Sequence, residues 1–290
     1  MKKGIFSNKN KGLTLSAFLI IIIVLTSYYF RPSRSELIIT VSLSIATFLF
    51  GIFSGFSISD RHARIERIRA NDSSERSNIV SIFHLSKVFG KNHHEKIANE
   101  LDEYLMSTLD YTIEDFGKTE KEFEDISKMA SSLKAPVNDL KKGTAYREMI
   151  KLLDNSRLLR GETAEIANER LSKFEWIIQG FLGFVILTAL VLISDGSVLS
   201  TIIVASLSSV VILLSYFLYS LDSLSWKAEA RIFEPYSQTF ESIGFLRYYP
   251  DELLDSGRIR KHQGKNYRVG LFPNPYPDMS GKKIKIVKNK

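Results

Sequence analysis

Apolar residues gather along this chain into four runs, grouped as two close pairs: 13–30 with 37–58, then 176–194 with 198–219. Each run is roughly 18–22 residues long and almost free of charge, and about 20 such residues in a helix cross the ~30 Å of hydrocarbon in a bilayer. Backbone amides at that depth must be bonded within their own segment, which makes helices the natural form. The links 31–36 and 195–197 are so short that each pair folds back as an antiparallel hairpin. The pattern therefore predicts an all-α, polytopic membrane protein with four transmembrane helices in two hairpins and a helical cytosolic domain. Its parts are a basic N-terminus (1–12), a first transmembrane hairpin (13–58), a cytosolic helical region (59–173), a second hairpin (174–219) and a cytosolic C-terminal region (220–290).

In the soluble parts the period changes to that of amphipathic helices. Ile65, Ile68, Ile79, Ile82, Phe83 and Leu85 recur at three- and four-residue steps, as do Ile97, Leu101, Tyr104, Leu105 and Leu109 after a break at Gly90. A turn is expected around Ala135-Pro136, followed by a long helix over 145–173 that runs straight into the third span. Residues 226–246 read as one more amphipathic helix, ending before Tyr248-Tyr249-Pro250. Pro273, Pro275 and Pro277 predict an irregular final segment, and the last ten residues are expected to be loose.

The net charge of +7 sits mainly at the two ends, in Lys2, Lys3, Lys9 and Lys11 and in Lys282, Lys283, Lys285, Lys288 and Lys290. Cytoplasmic flanks are enriched in Lys and Arg, so both termini and the middle region are assigned to the cytoplasm, with anionic lipid as a secondary partner. The basic residues make no face interleaved with aromatic platforms, and nucleic acid is not an expected partner. The first run has no small-residue cleavage site after it and reads as a retained anchor.

Little in the chain suggests covalent chemistry. It has no cysteine, which removes disulfides, thiolate metal sites and cysteine nucleophiles. His93 and His94 point about 100° apart on a helix and cannot chelate from one face. Phosphate-cradling, dinucleotide, nucleophile-elbow and zinc-helix motifs are all missing from the sequence. No cofactor, metal or enzymatic activity is expected.

The second run is the candidate functional element. On a helix, Val41, Ser44, Ile45, Phe48, Ile52, Phe56 and Ser59 share one stripe, with Gly51 and Gly55 just beside it. Gly51 and Gly55 form a GxxxG that lets another helix approach closely. In a ring of such helices Phe48, Ile52 and Phe56 would make three apolar layers, and hydrophobic constrictions gate by dewetting. Phenyl edges carry partial positive charge and could face a passing anion, while the ring faces would favour cations. Arg61 and Arg64 follow directly and are expected to draw anions to a cytosolic vestibule. The competing account is that the phenylalanines face lipid and the GxxxG packs a simple helix pair.

Two hairpins flanking a helical middle resemble the bestrophin superfamily, and more closely the bacterial bestrophin-like membrane proteins. The residues that carry the likeness are Ile52-Phe53-Ser54-Gly55-Phe56 with the Arg-rich 57–69 stretch, the Phe48/Ile52/Phe56 spacing, Leu221-Asp222-Ser223-Leu224-Ser225-Trp226 and Ile232-Phe233-Glu234-Pro235. The resemblance implies a homo-oligomer, a pentamer in bestrophins proper, with an anion pore lined by the second span, in a plasma membrane that would be a bacterial inner membrane. The expected function is a passive, chloride-like anion channel whose partners are membrane lipids, further copies of itself and inorganic anions. The alternative is a membrane-anchored sensor or scaffold whose cytosolic helices bind partners without conducting ions.

Overall fold

A 51-residue helix, α1 (Glu36–Ser86), is the longest element and contains the whole second apolar run. At about 1.5 Å per residue it extends ~75 Å, more than twice what a bilayer core requires. The computed structural model describes residues 21–23, 25–26, 36–112, 115–133, 139–223, 233–251, 254 and 266–288. Most of the first expected span, the turn at Ala135-Pro136 and residues 224–232 lie outside them. Within the first run, 21–23 and 25–26 are helical.

After α1 come a short 3-10 turn (Lys87–Phe89), α2 (Lys91–Asp110), a second 3-10 turn (Phe116–Thr119), α3 (Glu120–Ser132) and α4 (Leu140–Asn168). Then follow α5 (Lys173–Ile193), α6 (Val198–Asp222), α7 (Phe233–Ser242) and strands β1 (Arg247–Pro250), β2 (Tyr267–Leu271) and β3 (Lys283–Val287). The chain divides into two units: one formed by residues 5–65 and 170–228, the other by 66–169, 229–290 and the first four residues.

Among the described residues, three helices are long and apolar enough to cross a membrane: α1, α5 and α6. Ala46 and Phe50 of α1 pack with Ile186 and Leu190 of α5 and Val204 and Val211 of α6. Ile23, from the first run, lies against the same cluster. The 145–173 stretch is not one helix running into α5. α4 stops at Asn168, and α5 starts afresh with Ser172 as its cap, whose side chain accepts from the Glu175 amide while the Glu175 carboxylate accepts from the Ser172 amide. This reciprocal box satisfies two amides that a helix start otherwise leaves open.

The second unit is built on the rest of α1, with α2, α3, α4 and α7, and a small sheet. The break at Gly90 is observed, with φ at +95°, a conformation that costs side-chain-bearing residues energy. The sheet departs from the all-α expectation. β1 pairs in parallel with β2, and β2 antiparallel with β3, in the order β1-β2-β3. Residues 247–250, expected to follow a helix, are strand, and half of the final ten residues form β3 rather than a loose tail. The alternation Lys283-Ile284-Lys285-Ile286 has the period of two that a strand needs. The segment with Pro273, Pro275 and Pro277 is the irregular connection between β2 and β3.

Ion pairs and phenol bonds tie the sheet to α2. Arg268 on β2 holds Asp102 through two bonds of 2.6 Å, donates to the Leu246 carbonyl, and stacks over Phe240 and Phe245 at 5.2 and 5.7 Å. Tyr248 donates to Asp110 at 2.6 Å, and Lys282 donates to the other oxygen of that carboxylate. Removing one partner of a buried, bidentate pair strands the other charge and typically costs about 3–5 kcal/mol. Asp102→Ala should therefore loosen the C-terminal sheet, and limited proteolysis of the purified protein should then cut within 247–288 at protease levels that leave the parent intact.

Candidate functional site

The burial pattern of α1 in its apolar half is one-sided. Ala46, Phe50, Ser54 and Ser57 are buried, and the same face continues through Arg61, Arg64 and Ile65. These positions recur at three- and four-residue steps and so form a single stripe. The opposite face carries the expected neck. Phe48, Ile52 and Phe56 are 68%, 43% and 75% exposed. Gly51 and Gly55 are exposed as well, and a methyl group added at either would meet nothing within 4 Å. Among the described residues neither glycine packs against another helix, and both leave room for one.

Polar bonds fix which way this face turns. About one turn inside the end of the apolar region, Ser54 and Gln179 of α5 bond reciprocally, at 3.2 Å from the serine hydroxyl and 2.9 Å from the glutamine amide. Both side chains are buried. An interhelical bond of this kind within a membrane is worth about 0.6–1.7 kcal/mol, and it also specifies a rotation that apolar packing alone would leave loose.

A second set of contacts lies where α1, the α4–α5 link and the end of α6 converge. Arg64 donates to the backbone carbonyl of Asp222 at 2.9 Å. The Asp222 carboxylate accepts from the Leu171 amide at 2.8 Å and faces Arg61 at 3.6 Å. Arg61 also bonds the neighbouring Asp60. Trp176 and Tyr219 close the same end of the α5–α6 pair edge to face, with centroids 6.2 Å apart.

The two arginines are thus placed differently from the expectation. They were to line an aqueous vestibule, yet within the chain they are 5% and 1% exposed. The reason is rotational: at 100° per residue they fall on the face of Ser54 and Ser57, away from Phe48 and Ile52. One residue that matters here, Gln179, has no place in the sequence reading, and its partner Ser54 stands there only within the Ile52–Phe56 motif. A lone amide in an otherwise apolar run was the available signal. His94 shares a 2.7 Å hydrogen bond with Ser86. Among the described residues no cluster of three or more metal-ligating side chains converges.

A polar-keyed bundle of apolar helices, with an aromatic face of α1 exposed among the described residues, is the arrangement of an integral membrane protein. Comparison with known families is in keeping with this. A family model described as Bestrophin-like domain matches residues 13–224, so the chain belongs to the bestrophin-like family. The family points to an ion channel as the general class of function, and its members are known as channels rather than enzymes. No curated protein and no solved structure matches the chain.

Asp222 does two jobs, as acceptor for a backbone amide and as counter-charge to Arg61, and its substitutions should separate them. Asp222→Asn keeps an acceptor, whereas Asp222→Ala leaves a buried amide and a guanidinium short of a partner, a loss of about 1–3 kcal/mol for each unsatisfied group. Thermal unfolding in detergent should rank the proteins wild type, Asp222→Asn, Asp222→Ala in falling midpoint.

Proposed function

We propose that the protein is a passive anion channel, chloride-like in selectivity, formed by several copies arranged around the Phe48–Ile52–Phe56 stripe of α1. In this reading the chain has four spans in two hairpins, with both termini in the cytoplasm of a bacterial inner membrane. The bestrophin-like family supports a channel in general, and a pentamer is the assembly the resemblance implies.

The observation that carries the reading is the pairing of large exposed apolar side chains with two exposed glycines on one face of α1. Lipid contact alone makes no demand for glycine, because acyl chains adapt to any surface. Close approach of a helix from another copy does call for small residues, and GxxxG spacing supplies it. With Gly51 and Gly55 at the seam, Phe48, Ile52 and Phe56 turn toward the common axis as three apolar rings. A narrow apolar ring excludes water when closed and passes ions once it is wide enough to wet. Phenyl edges at the constriction favour an anion over a cation.

Arg61 and Arg64 take a supporting part in this scheme. Set against Asp60 and Asp222, they add no net charge, and they serve to hold the neck helix at its angle. The anion preference then rests on the phenyl edges.

Planar-bilayer recordings of the purified protein test the proposal. Wild-type protein should conduct chloride, and simultaneous replacement of Phe48, Ile52 and Phe56 by Ala should raise unitary conductance several-fold or relax the anion-over-cation preference. A triple variant with the wild-type single-channel record would remove the stripe from the pore.

A further inference from the structure

The second unit contains a buried cluster of ionisable groups that the channel reading does not use. Glu75, on α1, is 4% exposed, and its neighbours Tyr104 and Arg160 are equally enclosed. Tyr104 on α2 donates its hydroxyl to Glu75, while Arg160 on α4 donates to that same hydroxyl and stands 3.7 Å from the carboxylate. The guanidinium is shared further: it donates to Thr119 at 3.0 Å and to Glu120 at 3.2 Å, and lies over the Phe123 ring at 4.7 Å.

Nearby on α1, Asp72 is held by Arg76 at 3.1 Å and by the Tyr236 hydroxyl of α7. Glu75 is therefore faced by Asp72 from its own helix, Tyr104 from α2, Glu120 through Arg160 from α3, Arg160 from α4 and Tyr236 from α7. The described neighbours give it one hydroxyl donor and one guanidinium, which is divided among several acceptors. A buried carboxylate ordinarily needs more than that to stay ionised.

We propose that Glu75 is a proton-binding site at the centre of the cytosolic helices, and that its occupancy sets how tightly α1, α2 and α4 hold together across the range of cytoplasmic pH. Burial dominates the chemistry of the site and pushes the Glu75 carboxyl up to about 7, with Asp72 adding to the rise and Arg160 and Tyr104 only partly opposing it. The folded value lies above that of an exposed glutamate, so the folded state binds the proton more tightly. The stabilisation is complete below about pH 4.5 and is lost as pH rises through about 7. Alkalinisation should loosen the cluster, and acidification should tighten it. Because α1 also carries Phe48, Ile52 and Phe56, a channel built on it would conduct in a pH-dependent way. That last step alone rests on the channel reading.

Hydrogen exchange on the full-length protein in detergent tests the site without any ion flux. Exchange is measured at pH 6 and pH 8, corrected for the intrinsic rate, and followed in peptides from 97–110 and 149–163. Protection in the wild type should fall about tenfold over that interval, as a group shifted from 4.5 to about 7 requires. Glu75→Gln, which keeps the shape and an acceptor but has no proton to lose, should show protection flat to within about twofold. Wild-type protection that does not change, or a Glu75→Gln profile as steep as the wild type, would overturn the proposal. Should Glu75→Gln not fold, the infrared carbonyl stretch of a buried protonated carboxyl in the wild type decides: present at pH 6 and gone at pH 8 supports the site, and absent at both overturns it. In parallel recordings, a chloride current that responds to cytosolic pH in wild type but not in Glu75→Gln supports the coupling to conduction, and equal responses overturn the coupling. A protein without current would contradict the channel and leave the exchange result to decide the proton site.

Discussion

The rotational setting of α1 about its own axis is the constraint on which the rest of this structure depends. In a membrane the hydrophobic effect cannot decide which face of an apolar helix turns inward, since lipid tails are as apolar as leucine. Packing shape and polar bonds must do so. Here Phe50 and Ala46 supply the shape against α5 and α6. Ser54 with Gln179 and Arg64 with the end of α6 supply the bonds, at two positions along the same face. Once that face is committed inward, Phe48, Ile52 and Phe56 have nowhere to point but outward.

Much of this was legible in the sequence, and the reasons differ by element. Three of the apolar runs are helical, because length and composition alone determine whether a segment can span; 176–194 and 198–219 match α5 and α6 to within a few residues, whereas the second run is only the first part of α1. The outward stripe was legible too, since a helix fixes the relative direction of every residue along it. What could not be read was the absolute rotation. Arg61 and Arg64 look like vestibule residues until the partner for them, Asp222, is placed beside them by the fold. That partner is more than 150 residues away in sequence, and no local pattern announces it. The interruption before α5 was more accessible: Ser172 and Glu175 have the spacing of a capping box, masked by the helical periodicity on either side.

The sheet shows the opposite case. Its strands are short, its central strand pairs with one neighbour in parallel and the other antiparallel, and prolines crowd the connection. Local propensity argues against order there. Arg268 on Asp102, Tyr248 and Lys282 on Asp110, and Tyr276 on Asp115 and Thr112 supply it from α2 and the turn that follows. Two of the tail's basic residues, Arg268 and Lys282, thus hold the sheet in place. The Glu75 cluster belongs to the same economy of buried charge, with the difference that its carboxylate is under-provided with donors, and such a group is poised to change its protonation rather than to remain a fixed ion.

The central claim is that α1 presents its aromatic stripe to further copies of the same chain around one axis. Native mass spectrometry of the protein released from gentle detergent or nanodiscs tests this most directly. The account predicts a single ring-forming oligomer, with five copies as the mass expected from the family resemblance. A monomer, or a dimer that persists in both environments, would contradict it, because two helices cannot enclose a pore, and the membrane-anchored scaffold would then be the better description.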